Sequence, residues 1–239
     1  MNLFYCDDIP EKVALPLAAR LGEDESRHAL KVLRLGPGDP IWVTHGRGYH
    51  YTGTIHGTVG KTLELWLTEE IPLFDFTRPR MHLAVSPLKN PDRLEWLVEK
   101  ATEAGIYRIS FMLTRRTEKQ GVNIERLKRI TIAALKQSMG GWLPVLEGPV
   151  KFDSLINDAD EAEKFIAVCE GEHPLLWDAL SGQQDAVILI GPEGDFTPEE
   201  AAMAIAAGFK PVSLGKHRLR TETAGLVSIF AFQMKSCNL

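Results

Sequence analysis

The sequence predicts two domains, a small β-barrel followed by an α/β domain with a mostly parallel sheet. The first ~72 residues hold short strand patterns separated by glycine-rich turns, which are typical of a small barrel. Near-continuous apolar strands then alternate with amphipathic helices, which indicates a parallel α/β sheet. The chain has 239 residues, 44% of them apolar and 25% charged, so it can bury a substantial core.

The barrel prediction rests on three strands and one helix. The strands are expected at Ile41–Val43, Tyr49–Ile55 and Thr62–Leu67. A helix is expected near Asp24–Leu33, with its apolar residues on one face. The segment Pro72–Pro79 is typical of a linker. We therefore expect the domains to span residues 1–72 and 73–239.

The second domain is predicted to contain five strands and four helices. The strands are Met81–Ser86, Ile109–Leu113, Phe165–Cys169, Ala186–Ile190 and Pro211–Leu214. Asn90-Pro91 opens the first helix, and Gly105 closes it. The other helices are Asn123–Met139, Thr197–Ala207 and Thr221–Lys235. Thr197 and Glu200 have the spacing of a capping box.

Charge is unevenly distributed along the chain. The net charge is -5, but residues 77–153 hold 14 Lys and Arg against 8 Asp and Glu, a local net of +6. Two interpretations are open, an anion-binding patch or charges scattered over helix faces. If there is a patch, the candidate contacts are Arg93, Arg115, Arg116, Lys119 and Arg129, with Arg115 and Arg116 favoured because they directly follow a strand end. In the barrel, His28, Lys31 and Arg34 are spaced to share one helix face.

Cysteine usage and hydropathy exclude several classes of protein. Cys6, Cys169 and Cys237 are odd in number and far apart, which favours neither a disulfide framework nor a zinc site. No apolar run approaches the ~18 residues of a membrane span, and the first twelve residues lack the basic start of a signal peptide. We expect a cytoplasmic protein with no metal and no membrane partner.

Two glycine-terminated strands carry the strongest functional signal. Ala186–Ile190 runs into Gly191-Pro-Glu-Gly194, where backbone could approach a ligand closely. A second strand ends at Gly215, before a basic segment and Thr221-Glu-Thr. Each pattern also has a plain structural interpretation, a tight turn for the first and helix capping for the second. Together they predict one shared pocket, without a dinucleotide or P-loop fingerprint.

These motifs resemble a known family. The segments 189–194, 213–215 and 219–224 are similar to the three cofactor loops of the SPOUT RNA methyltransferases. The similarity extends to Arg93–Gly105, to Gln137-Ser138 and to Ser26–Asp39, so it spans nearly the whole chain. It is closest to the members that methylate a uridine in 16S ribosomal RNA.

The resemblance implies a fold and partners. It implies a PUA-like barrel, an α/β domain with a deep trefoil knot over about residues 186–230, and a homodimer. It implies S-adenosylmethionine as methyl donor, with S-adenosylhomocysteine as product and no metal. The implied acceptor is N3 of a uridine in 16S rRNA of the small ribosomal subunit. With RNA as substrate, the expected RNA contacts are Arg93, Arg115 and Arg116 and, in the barrel, His28, Lys31 and Arg34, for which a solvated helix face is the alternative. Periodicity alone predicts an unknotted sheet, since knots are very rare.

The resemblance also implies a set of site residues. Arg220 is expected to stabilise negative charge on the uracil, and Glu222 to act as general base or to orient Arg220 or the donor. Glu193 either makes a polar contact that sets specificity or accepts hydrogen bonds from backbone amides within its own turn. The expected cofactor-binding residues are Leu189, Ile190, Gly191, Pro192, Glu193, Gly194, Ser213, Leu214, Gly215, Leu219, Arg220, Thr221, Thr223 and Ala224.

The chain departs from the family pattern at a few positions. Asp195 stands where relatives often have Gly, and Gly225 where Ala is usual. His217 follows Lys216 where a Pro-Arg pair is common, and Asn2-Leu3-Phe4 lacks a frequent Arg. Two alternatives stay open, a related SPOUT enzyme acting on transfer RNA or another rRNA position, and a non-catalytic RNA-binding assembly factor.

Overall fold

The computed structural model describes residues 2–236, so Cys237 lies outside the described part of the chain. The chain divides into two compact units. The first comprises the residues up to Asp75 together with Ile132–Leu143, and the second comprises Phe76–Thr131 and the residues from Pro144 onward. Among residues 2–236, no helix is long and apolar enough to cross a membrane.

The first unit is built on a five-stranded sheet. Its strands are β1 (Leu3–Tyr5), β2 (Leu17–Leu21), β3 (Pro40–Thr44), β4 (Tyr49–Val59) and β5 (Thr62–Pro72). Their order is β1–β3–β4–β5–β2, with β1 parallel to β3 and the other neighbours antiparallel. Leu63, Leu65 and Leu67 alternate with more exposed neighbours, so one face of β5 builds the core.

The helix of the first unit differs from the prediction. The structure has α1 (Glu23–Arg27) followed directly by a π-helix (His28–Val32). The N–H of Leu33 donates to the carbonyl of His28 at 3.2 Å, the wide turn of a π-helix. Arg34 lies beyond the helix with φ 57°. The expectation that His28, Lys31 and Arg34 share an α-helical face is therefore wrong.

The second unit is built on a six-stranded, all-parallel sheet. Its strands are β6 (Met81–Val85), β7 (Arg108–Leu113), β8 (Val145–Lys151), β9 (Glu163–Ala167), β10 (Ala186–Ile190) and β11 (Lys210–Val212). Their order is β11–β9–β10–β6–β7–β8, and every neighbouring pair is parallel. The central strands β6 and β10 are buried along their whole length, because apolar clusters cover both faces.

The remaining helices follow the strands. They are α2 (Pro91–Glu103), α3 (Ile124–Ser138), α4 (Phe152–Asp158), α5 (Leu176–Ala179), α6 (Pro198–Ala206) and α7 (Thr221–Ser236). Two predicted caps are confirmed. The Asn90 side chain accepts from the N–H of Asp92, and Thr197 with Glu200 forms a capping box. Both caps fix where a helix begins after a strand of the sheet.

The parallel α/β sheet is confirmed, but five elements were not predicted. These are β1, β2, β8, α4 and α5. The strand β8 contains Gly148-Pro149, a pair that indicates a turn in sequence. It lies at the edge of the sheet, where proline is tolerated because no strand on the other side requires the backbone N–H that proline lacks. The domain boundaries at 72 and 73 and the trefoil knot over about 186–230 stay predictions.

Candidate active site

A cavity of about 1050 Å³ lies at the carboxyl ends of β9, β10 and β11. These three strands are adjacent in the sheet, and ligands bind at this edge in open α/β folds. Its walls include residues 167–170, 190–198 and 213–221. The size is that of a typical small-molecule site, which holds roughly 300–1,000 Å³. The two glycine-terminated strands therefore do share one pocket.

Most of the expected cofactor-binding residues line this cavity. They are Ile190, Gly191, Pro192, Glu193, Gly194, Ser213, Leu214, Gly215, Leu219, Arg220, Thr221 and Ala224. Leu189 instead is fully buried in the apolar cluster that also holds Val187 and Phe196. Thr223 is half-buried in the first turn of α7, away from the lining.

The contribution of β9 to the cavity was not predicted from the sequence. Ala167, Val168, Cys169 and Glu170 line the cavity between the two predicted loops, and His173 lies there as well. The strand itself was predicted, but its place between β10 and β11 was not. Strand order depends on long-range pairing, and no local pattern in these residues reports it. The rule that connections between parallel strands are right-handed could have reduced the number of possible strand orders.

The loop after β10 is held by side chains from other segments. The Thr221 hydroxyl donates to the carbonyl of Gly191 at 3.1 Å, and Arg218 Nη2 donates to the carbonyl of Glu193 at 3.2 Å. Both donors come from the segment that follows β11. The two glycine-rich loops are therefore tied to each other across the cavity, which fixes its width.

Arg116 supplies a third tie to the same loop. Its Nη1 donates to the carbonyl of Gly194 at 2.6 Å and lies 3.3 Å from the carbonyl oxygen of Phe196. A Cβ added to Gly194 would lie 3.3 Å from the Cδ of Arg116. The glycine therefore leaves room for the arginine stem to cross the loop.

Asp195 takes a backbone conformation that favours glycine, with φ 61°. Aspartate is among the residues that tolerate this region best. Its carboxylate accepts from the N–H of Cys169 at 3.0 Å and from that of Phe196 at 2.8 Å. Asp195, which stands where relatives often have Gly, thus links the end of β9 to the loop after β10. Burial, together with the charge of Asp195, raises the pKa of the Cys169 thiol.

Glu222 pairs with Arg93. Arg93 Nε donates to Glu222 Oε1 at 2.7 Å and Nη2 to Oε2 at 2.5 Å. Burial opposes ionisation of Glu222, but the hydrogen bonds from Arg93 and the nearby charges outweigh it, so its pKa is lowered. A carboxylate with a lowered pKa is a poor proton acceptor near neutral pH. The geometry favours an orienting role for Glu222, with Arg93 as its partner.

The residues expected to bind RNA are distributed over both units. His28, Lys31 and Arg34 are exposed in the first, and Arg115 and Arg116 are exposed in the second. Arg115 Nη1 lies 3.7 Å from Glu199 Oε2.

Many basic side chains of the segment 77–153 are in ion pairs. These pairs are Arg80–Asp185, Lys89–Glu118, Arg93–Glu222, Lys100–Glu103, Arg108–Glu147, Arg126–Glu95 and Lys128–Glu125. The excess positive charge of this segment therefore does not form one continuous basic patch.

Comparisons with known proteins agree with this architecture. Residues 77–233 match the family model of an RNA methyltransferase domain, and residues 21–64 match that of an RNA methyltransferase PUA domain. A ribosomal RNA small subunit methyltransferase E from Rickettsia conorii is 31% identical over 218 residues, with 87% of this chain and 86% of the relative covered.

Two solved structures are similar along nearly the whole chain. A probable rRNA-methyltransferase from Porphyromonas gingivalis has a TM-score of 0.91 at 36% identity, covering 100% of this chain and 99% of its own. A ribosomal RNA small subunit methyltransferase E from Neisseria gonorrhoeae, bound to S-adenosyl methionine, has a TM-score of 0.84 at 27% identity, covering 98% and 97%. The PUA-like first domain and the α/β second domain are thereby confirmed, and the chain belongs to the ribosomal RNA small subunit methyltransferase E family of RNA methyltransferases.

Proposed function

We propose that this protein transfers a methyl group from S-adenosylmethionine to N3 of a uridine in 16S rRNA of the small ribosomal subunit. The observation that carries the proposal is the cavity where the two glycine-rich loops meet, in a chain of this family. The relative from Neisseria gonorrhoeae, bound to S-adenosyl methionine, supports the choice of donor.

The residues of the cavity fit such a donor. Gly215 has φ 124° with open space where a Cβ would stand, so a ligand can approach the backbone closely there, whereas at Gly191 and Gly194 that space faces Phe196 and Arg116. Leu214 and Ala224 supply apolar wall for an adenine ring. Glu193 supplies a carboxylate for a positively charged or amino group. The cavity therefore offers apolar contacts to one part of the donor and a charged contact to another.

Methyl transfer needs few protein groups. S-adenosylmethionine supplies a sulfonium methyl. N3 of the uridine releases its proton to water and takes the methyl group, and S-adenosylhomocysteine remains. The loops hold the donor in line with N3, and such positioning supplies much of the rate. Arg220 is exposed on the cavity wall, where its guanidinium can stabilise the negative charge that develops on the uracil oxygens. The target base must leave its stack to enter the cavity.

We further propose a homodimer, and RNA-docking residues in each of the two units. One face of α7 exposes Val227, Phe230 and Met234, which a second copy of the chain would cover. Arg115, Arg116 and the basic residues around the π-helix are proposed to contact RNA phosphates. If they do, affinity for RNA falls steeply as salt rises. Sedimentation of wild type against Phe230→Glu tests the dimer. We propose a cytoplasmic location, because the proposed substrate is ribosomal.

The test is methyl transfer from labelled S-adenosylmethionine to unmethylated small ribosomal subunits. Naked 16S rRNA and bulk transfer RNA run in parallel, and nucleoside analysis identifies the product. N3-methyluridine in 16S rRNA supports the proposal. Label in transfer RNA alone, or in another rRNA nucleotide, supports the related-enzyme alternative. Donor binding without transfer to any RNA supports the non-catalytic assembly factor.

A further inference from the structure

Three charged side chains from separate elements meet beside the cavity. Arg93 lies in the first turn of α2, Glu222 in the first turn of α7, and Glu193 in the loop after β10. Two nitrogens of the Arg93 guanidinium, Nε and Nη2, bind the two oxygens of Glu222. Its third nitrogen, Nη1, lies 3.6 Å from Glu193 Oε1. Arg93 therefore joins the start of α7 to a wall of the cavity.

The two contacts of Arg93 differ in rigidity. The Glu222 side chain is only 8% exposed and uses both oxygens in a bidentate pair, the strong form of this interaction. The Glu193 side chain is 42% exposed, and its distance from Arg93 is longer than a hydrogen bond. Glu222 therefore fixes Arg93, and Arg93 in turn holds Glu193 by charge.

The charge of the cluster argues against a phosphate contact at Arg93. One guanidinium faces two carboxylates, so the three side chains together carry a net charge of -1. An RNA phosphate approaching Arg93 would be repelled by Glu193, which is the more exposed of the two acids. A role in shaping the donor site agrees better with this arrangement than a role in RNA docking.

We propose that Arg93 is a positioning residue of the methyl-transfer site. It sets where the Glu193 carboxylate stands in the cavity wall, and it holds the first turn of α7, directly after Arg220. This inference rests on the proposed function and deepens it. The planar fork of an arginine suits this geometry, because it presents two nitrogens side by side to Glu222 and a third to Glu193, whereas a lysine ammonium is a point charge that cannot form the bidentate pair.

The experiment compares Arg93→Gln, Arg93→Lys and Glu193→Gln with wild type. A matched control is Arg126→Gln, because Arg126 also binds a carboxylate of α2, Glu95, through two nitrogens at 2.5 and 2.8 Å but does not line the cavity. Calorimetry measures the Kd for S-adenosylhomocysteine. Single-turnover assays measure the rate at saturating donor, filter binding measures affinity for small subunits, and thermal unfolding reports folding.

We expect Arg93→Gln to weaken product binding by roughly 10- to 100-fold, the range for a lost hydrogen bond to a charged group. It should also lower the rate at saturating donor, with affinity for subunits unchanged within about twofold. Arg93→Lys should lie between Arg93→Gln and wild type. Glu193→Gln should weaken product binding without changing the midpoint of unfolding, and combining it with Arg93→Gln should add little. Arg126→Gln should leave binding and rate unchanged.

The opposite pattern overturns the inference. If Arg93→Gln weakens subunit binding and leaves product binding intact, Arg93 contacts RNA. If Arg93→Gln does not fold, Arg93→Lys and Glu193→Gln still decide, and normal product binding in both refutes the coupling. Product binding is measured without RNA, so a wild type that binds product but methylates nothing refutes only the proposed function. A wild type that does not bind the product refutes both.

Discussion

Replacing Gly225 by alanine should stabilise the protein. Gly225 lies inside α7, where alanine is favoured over glycine by about 1 kcal/mol. Burial of the added methyl group contributes roughly 0.8 kcal/mol more. The opposing effect is steric, because the new Cβ would lie 3.1 Å from Leu97 Cδ1 and 3.4 Å from Leu83 Cδ2. Both contacts are with the ends of flexible side chains, so a shift of a few tenths of an ångström relieves them.

We therefore expect a net gain of about 1 kcal/mol, which raises the unfolding midpoint by roughly 2–4 °C for a chain of this size. Urea denaturation and thermal unfolding of Gly225→Ala measure the change. The control is Gly105→Ala, where φ is 75° and the added Cβ would make only an ordinary contact with Gln233 Nε2 at 3.8 Å, so alanine should destabilise through backbone strain. A loss of stability in Gly225→Ala would refute the reasoning. Recovery in the double variant with Leu97→Val would then identify Leu97 as the obstacle.

Three further predictions concern other parts of the molecule. Arg220→Ala should lower the rate at saturating donor by roughly 100-fold with donor affinity retained. Full turnover by a variant whose donor affinity is normal by calorimetry would refute the charge-stabilising role of Arg220. Gly53→Ala should destabilise the first unit by about 3 kcal/mol or more, because its Cβ would lie 2.0 Å from the carbonyl oxygen of Trp66, and urea denaturation measures this. Burial disfavours the charge of Glu161, but the hydrogen bond with His82 outweighs it and lowers the pKa. Glu161 then contributes stability at neutral pH that is lost as the pH falls below the ordinary pKa of a glutamate, about 4.3. In urea denaturation at a series of pH values, Glu161→Gln should therefore flatten the decline in unfolding free energy between about pH 5 and pH 3.

The sequence was most informative where one local rule decides the structure. Strands β6 and β10 are continuous apolar runs, and the caps at Asn90 and Thr197 depend only on residues within one helical turn. The π-helix at His28–Val32 could not be predicted, because its apolar spacing also fits an α-helix. The edge strand β8 was missed because Gly148-Pro149 signals a turn, and only its pairing with β7 makes it a strand.

The candidate site was predictable in its loops and not in its ion pairs. Gly191 and Gly215 each follow an apolar strand, and that pattern places them at one edge of a parallel sheet. The pairing of Glu222 with Arg93 joins residues 129 positions apart. No local pattern reports such a contact, and the partners expected for Glu222 from the sequence were Arg220 or the donor.

The distribution of basic residues along the chain was a poor guide to the charge around the cavity. Residues 154–239 carry 6 basic and 13 acidic side chains, yet they supply Arg218 and Arg220 to the cavity wall. The basic middle segment adds Arg93 and Arg116 there, while most of its other basic residues are engaged in ion pairs. Arg116 and Arg218 each use only part of their five N–H donors on loop carbonyls. Because the positive charge of each remains, the cavity lining holds five Lys and Arg side chains against three Asp and Glu. A count by segment cannot detect a lining assembled from distant parts of the chain.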